Sequence, residues 1–139
     1  MAEIYKSAEG KRVVEEMYER ALQQWPVPVD RFVLPTRAGD TFVLASGDPR
    51  TWPVVLLHGS GTNSAAWIRD VAEWSKSYRV YAIDMIGEPG FSAPSRPQLA
   101  SDAHACWLDD VWQHLGLAQR MLDLGVDHSA QRKQFGKPI

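Results

Sequence analysis

Apolar and polar positions divide this chain into segments of two periods. From Ser7 to Trp25, Val13, Val14, Met17, Tyr18, Ala21, Leu22 and Trp25 recur at helical spacing, with Lys11, Arg12, Glu15, Glu16, Glu19 and Arg20 opposite. That is an amphipathic helix, and Pro26 and Pro28 end it because proline cannot donate the next helical hydrogen bond. Two short strands are predicted at Arg31 to Leu34 and Thr41 to Ala45, joined by the turn Arg37-Ala38-Gly39-Asp40. A polar loop over 46–52 then leads into Val54 to Leu57, an unbroken apolar run between Pro53 and a glycine cluster. It reads as a strand buried on both faces, as in parallel sheets. Ala65, Ala66, Trp67, Ile68, Val71, Ala72 and Trp74 predict a second helix, for which Thr62, Asn63 or Ser64 supplies the N-cap. Tyr78 to Ile83 is a second buried strand, laid parallel to the first by right-handed crossover.

A third helix, from about Ser101 to Leu115, carries Ala103, Cys106, Trp107, Val111, Trp112 and Leu115 on one stripe, with Asp102, Asp109 and Asp110 opposite. From Leu117 to about Gln134 there is no proline, and Leu117, Met121, Leu124 and His128 keep helical spacing. A last helix is expected there, bent away from its predecessor at Gly116, stopped by Gly136 and Pro138, with its apolar face partly covering an open sheet edge.

Size and charge narrow the classes. A chain of 139 residues fits one domain or part of a larger one, and a formal net charge of -2 offers no attraction to nucleic acid or an anionic membrane. The single cysteine, Cys106, has apolar neighbours, suits a reducing compartment and reads as an inert buried thiol. No apolar run is long enough to span a bilayer, so a cytoplasmic location is expected.

The candidate chemistry lies where the buried strands stop. His58-Gly59-Ser60-Gly61 follows the first, at the carboxyl end where open α/β sheets bind ligands. A backbone turned by Gly59 and Gly61 can aim the Ser60 N–H at a developing oxyanion, a donor worth roughly 3 kcal/mol of barrier. Asp84-Met85-Ile86-Gly87-Glu88-Pro89-Gly90-Phe91-Ser92 follows the second strand, a carboxylate leading into another glycine and proline turn. No metal-binding or dinucleotide motif occurs, and no serine, acid and histidine stand in a recognisable catalytic arrangement. No catalytic residue, metal ligand or cofactor is therefore assigned.

These pieces together, with Trp67, Val80 to Ser92, Trp107-Leu108 and His114-Leu115-Gly116-Leu117, resemble the amino-terminal half of an α/β-hydrolase of the carboxylesterase type. The resemblance covers residues 1–117 and implies a partial α/β-hydrolase sheet of about four strands flanked by helices. It also implies that Gly59 and Ser60 lie at an oxyanion hole. The family continues with a strand running into Gly-x-Ser-x-Gly, which presents the nucleophile. Here Asp127-His128-Ser129-Ala130-Gln131 lacks both flanking glycines and no apolar strand precedes it, so a helix is expected to replace that strand. By the resemblance, Val54 to Leu57 would lie beside the missing strand, leaving an edge open to self-association.

Residues 118–139, ending Arg132-Lys133-Gln134-Phe135-Gly136, resemble a helix of the acyl-CoA dehydrogenases. By that resemblance Arg132, Gln134 and Phe135 would be flavin contacts, although one helix supplies too few contacts to hold a dinucleotide. The expectation is a hydrolase-like fragment or chimera that keeps the oxyanion loop and is inactive alone. A self-associating scaffold is the alternative and a flavin-contacting segment the third reading.

Overall fold

The computed structural model describes residues 4–131, 133–134 and 137–138. Helix α1 (Ala8–Leu22) is capped by the Ser7 hydroxyl, which accepts from the Gly10 N–H. Strands β1 (Asp30–Thr36) and β2 (Gly39–Ser46) form an antiparallel hairpin. Its tight turn requires a glycine: Gly39 has φ +112°, and a Cβ there would meet the Ala93 Cβ at 2.5 Å. Strand β3 (Pro53–Leu57) pairs parallel to β4 (Arg79–Ile83), with Leu57 opposite Ile83, and β4 pairs antiparallel to β2. The sheet order is β1-β2-β4-β3, which leaves β3 at an edge among the described residues, so of the run Val54 to Leu57, expected to be buried on both faces, only Leu56 is buried and Leu57 is exposed.

Successive residues of one strand point to opposite faces, so each apolar run feeds two cores. Phe42, Leu44, Leu56, Val80 and Ala82 pack with Tyr18 and Leu22 of α1. Val43 and Ile83 pack on the other face with Ile86 and with Trp107 and Val111 of helix α3 (Ala103–His114). The buried Trp107 indole donates to Thr41 Oγ1 at 2.8 Å, and Arg37 forks onto Asp110, so α3 is pinned to the hairpin by both apolar and polar contacts.

The predicted second helix is broken. A 3₁₀ turn at Ser64–Trp67 is followed, after residues 68–70, by α2 (Val71–Trp74). Asn63 caps Ala65, and the Ser64 N–H is held by the buried carboxylate of Asp84, so the first turn follows the strand end. Periodicity alone does not separate the two helix types, since i and i+3 share a face in both.

Helix α4 (Leu117–Gln131) stands where the sequence leads one to expect it, after a bend at Gly116 with φ +62°. It ends a few residues before Gln134, and Lys133–Gln134 pairs with Lys137–Pro138 in a minimal hairpin. Leu117 is buried and Leu124 half-buried, but Met121 is exposed, so the α4 face covers the β3 edge only in part. Arg120 of α4 reaches the Arg50 carbonyl in the loop before β3.

Candidate functional site

Parallel pairing of β3 and β4 puts two loops, 58–63 and 84–92, at one end of the sheet. Their side chains cross-link them. His58 is buried, and its Nε2 accepts from the Met85 N–H at 2.9 Å. A backbone N–H can only donate, so the ring proton sits on Nδ1, 2.9 Å from the Gly59 carbonyl. With both nitrogens engaged, His58 is a stitch between the loops and not a free base.

Asp84, fully buried, is the hub of the second loop. Oδ1 accepts from the Tyr18 hydroxyl at 2.8 Å and the Ser64 N–H at 3.0 Å, and Oδ2 from the Phe91 N–H at 2.9 Å. Its carbonyl accepts from Ser92 Oγ at 2.6 Å, and that hydroxyl accepts from the Phe42 N–H. Donors to both oxygens make a buried carboxylate tolerable and tie α1, the 3₁₀ turn, β2 and the loop together. Burial, and then the negative charge of Asp84, push the Tyr18 phenol far above its ordinary value. Tyr18 also stacks on Phe91, ring centroids 4.7 Å apart.

The first loop is exposed. Gly61 has φ +74°, and neither Gly59 nor Gly61 has a neighbour within 4 Å of where a Cβ would stand. The Gly61 N–H donates to Glu88 Oε2 at 2.7 Å, and Ser60 Oγ donates to Glu88 Oε1 at 3.2 Å. Among the described residues the Ser60 N–H has no acceptor.

A cavity of about 170 Å³ adjoins this loop, lined by Ser60, Glu88, Arg96 and His104 among others. On the α1 side, Val14, Met17, Ala21, Gly61 and Pro89 line an open groove of about 360 Å³. A larger cavity, about 770 Å³, lies at the opposite end of the sheet beside Asp30 and Arg79 and touches none of these groups. The two smaller spaces are therefore the relevant ones for chemistry at the strand ends.

The structure gathers His58, Gly59, Ser60 and Gly61 in one loop facing Asp84 to Ser92. It also brings in Glu88, Arg96 and His104, to which the sequence pattern assigns no role; no local spacing joins residues 28 or 44 positions away. Ser129 lies within regular α4, exposed. Cys106 is half-buried and lines a separate cavity with Arg37 and Ala93, where the sequence suggests full burial. Of the flavin-contact candidates, Arg132 and Phe135 lie outside the described residues, as does the Gln134 side chain. No group of three or more His, Cys, Asp or Glu able to hold a metal occurs among the described residues, and no helix among them is long and apolar enough to cross a membrane.

No protein-family model matches the chain. It is 40% identical over 102 residues to the uncharacterized carboxylesterase nap of Bacillus subtilis, covering 73% of this chain and 34% of that protein. It is 37% identical over 116 residues to carboxylesterase YbfK of the same organism, covering 81% and 39%. The crystal structure of naproxen esterase from Bacillus subtilis superposes with a TM-score of 0.68 at 39% identity, over 81% of this chain and 39% of that one. The fold is that of the α/β-hydrolases, and the chain spans about two fifths or less of the relatives it matches.

Proposed function

We propose that this chain carries the oxyanion-binding part of a carboxylesterase-like active site and does not hydrolyse esters by itself. The observation that carries the reading is the exposed turn 59–61, whose Ser60 N–H has no acceptor among the described residues at the carboxyl end of a parallel strand pair. A developing alkoxide oxygen placed there would accept that hydrogen bond. Hydrolysis needs in addition a nucleophile on a sharp turn and a histidine free to take its proton. Ser129 sits in a helix and His58 is engaged at both nitrogens, so neither fills those roles. The test is turnover of short-chain aryl esters by the purified chain, expected at the background of a Ser129→Ala control. Turnover that this substitution abolishes would overturn the reading.

A second reading is favoured by the sheet edge. Leu57 at the end of β3 is 39% exposed on an edge that no strand pairs with among the described residues, and Met121, Leu122 and Val126 are exposed on α4, a helix in contact with β3. Self-association through this edge would bury them. Light scattering across a concentration series is expected to show mass rising with concentration, and a constant monomer mass rejects it.

The dehydrogenase likeness of residues 118–139 enters only as a chimeric origin for that segment. The preparation is expected to be colourless; a yellow protein that fades on Arg132→Ala would instead assign a flavin contact.

A further inference from the structure

We infer that Glu88 is a positioning residue: its carboxylate clamps the 59–61 turn in the one arrangement that leaves the Ser60 N–H free for a ligand oxygen. The inference rests on the oxyanion reading above and adds to it the residue that holds the donor in place.

The turn has little of its own to hold it. Gly59 and Gly61 pack against nothing within 4 Å of their Cβ positions, and Ser60 is exposed. Behind the turn, Thr62 Oγ1 at 2.7 Å and His58 Nδ1 at 2.9 Å both donate to the Gly59 carbonyl, which anchors its first residue only. Two unpacked glycines flanking a single exposed serine would sample many conformations, because glycine has the widest choice of backbone angles. What selects one is Glu88, which takes the Gly61 N–H on one oxygen and the Ser60 hydroxyl on the other. The 2.7 Å bond to a charged acceptor is of the stronger, charge-assisted kind.

The clamp itself stands on firm ground. Gly87 has φ +72°, donates to the Ala93 carbonyl at 2.9 Å and accepts from Arg96 Nε at 3.0 Å. Glu88 follows directly and donates its own N–H to the Met85 carbonyl, which is adjacent to the Asp84 hub. Rigidity is thus passed from the buried network through the second loop to the exposed first one. The bonding pattern is also selective: the carboxylate engages the side chain of Ser60 and the amide of Gly61, and leaves the Ser60 amide unused.

A competing geometry is a carboxylate that occupies the ligand's own place, and one experiment separates the two. Amide exchange is read by NMR on the full chain, on Glu88→Ala and on Glu88→Gln, with and without sodium butyrate as the oxyanion probe. In Glu88→Ala the Gly61 amide is expected to exchange about tenfold faster. Glu88→Gln, which keeps one acceptor for Gly61, should restore most of the protection. The Ser64 and Phe91 amides, bound to Asp84, should be unchanged in both and so report an intact fold.

Butyrate should shift the Ser60 amide in the wild-type chain and bind several-fold more weakly to Glu88→Ala than to Glu88→Gln, two variants alike in charge. Unchanged Gly61 exchange in Glu88→Ala overturns the clamp, as does equal loss at Gly61, Ser64 and Phe91 in both variants. Tighter butyrate binding by Glu88→Ala than by Glu88→Gln overturns it too, because the side chain would then be an occupant and not a support. A wild-type Ser60 amide that ignores butyrate speaks against the oxyanion reading, while Gly61 exchange still decides the role of Glu88.

Discussion

Loops 58–63 and 84–92 leave neighbouring strands at the same end of the sheet and each contain two glycines and a serine, yet they carry opposite burdens. In the second, Gly90 lies so close to Asp84 that a Cβ would meet Oδ2 at 2.5 Å, and Asp84 is bonded on both oxygens. In the first, the glycines face open space. The second loop uses its carboxylate to tie α1 and the 3₁₀ turn to the strand end; the first leaves the Ser60 N–H without an acceptor among the described residues. Two loops at one sheet end therefore divide into support and presentation according to what stands behind them, and His58 and Glu88 connect the two.

Removing the hub should break this contrast most severely. Asp84→Ala strands the Tyr18 hydroxyl and the Ser64 and Phe91 amides without an acceptor, and is expected to cost about 3–5 kcal/mol in urea unfolding. Asp84→Asn keeps one acceptor oxygen and should cost less; equal losses would mean that the charge, not the bonding, matters. Next in size is Gly90→Ala, which forces the carboxylate off its donors at about 2–3 kcal/mol. A neutral Gly90→Ala in the same denaturation assay would show that the loop is softer than its contacts imply.

Alkaline titration sharpens the comparison without touching the backbone. Tyr18 is raised by burial and by Asp84, so its folded value lies above the unfolded one. Its contribution to stability is fully present below about pH 10, the unfolded value, and is lost as pH rises beyond it, because only the unfolded chain then releases the proton. Stability of the wild-type chain should therefore fall more steeply above about pH 10 than that of Tyr18→Phe; parallel curves would deny the buried bond. The smallest effects belong to the open loop. Gly61→Ala should cost about 1 kcal/mol, the strain of a side chain at positive φ, and Gly59→Ala should stay within about 0.5 kcal/mol. A large loss at Gly59 would place a packing partner over that turn.

Much of this was legible along the chain. Val54 to Leu57 is an unbroken apolar run and Tyr78 to Ile83 is broken only by Arg79, so the two parallel strands follow from local pattern, although burial on both faces holds for β4 and not for the edge strand β3. Helix α4 is equally local: an eighteen-residue stretch without proline and with a 3.6-residue period has no strand solution, whatever the relatives have at that place. Gly116 marks the bend because a glycine is the residue that takes φ +62° without strain.

What the linear pattern does not carry is which polar side chain meets which amide. Glu88 reads as a solvated loop acid until β3 and β4 are set side by side, and the buried role of Asp84 appears only when Tyr18 arrives from a helix 66 residues earlier. The start of the second helical segment is set in the same way, since Asp84, 20 positions on, takes the amide of its first residue, Ser64. Hydrophobic burial is set by each segment's own periodicity and so is written locally. Hydrogen-bond partnership depends on distances of about 3 Å between remote segments, and only the folded chain decides those.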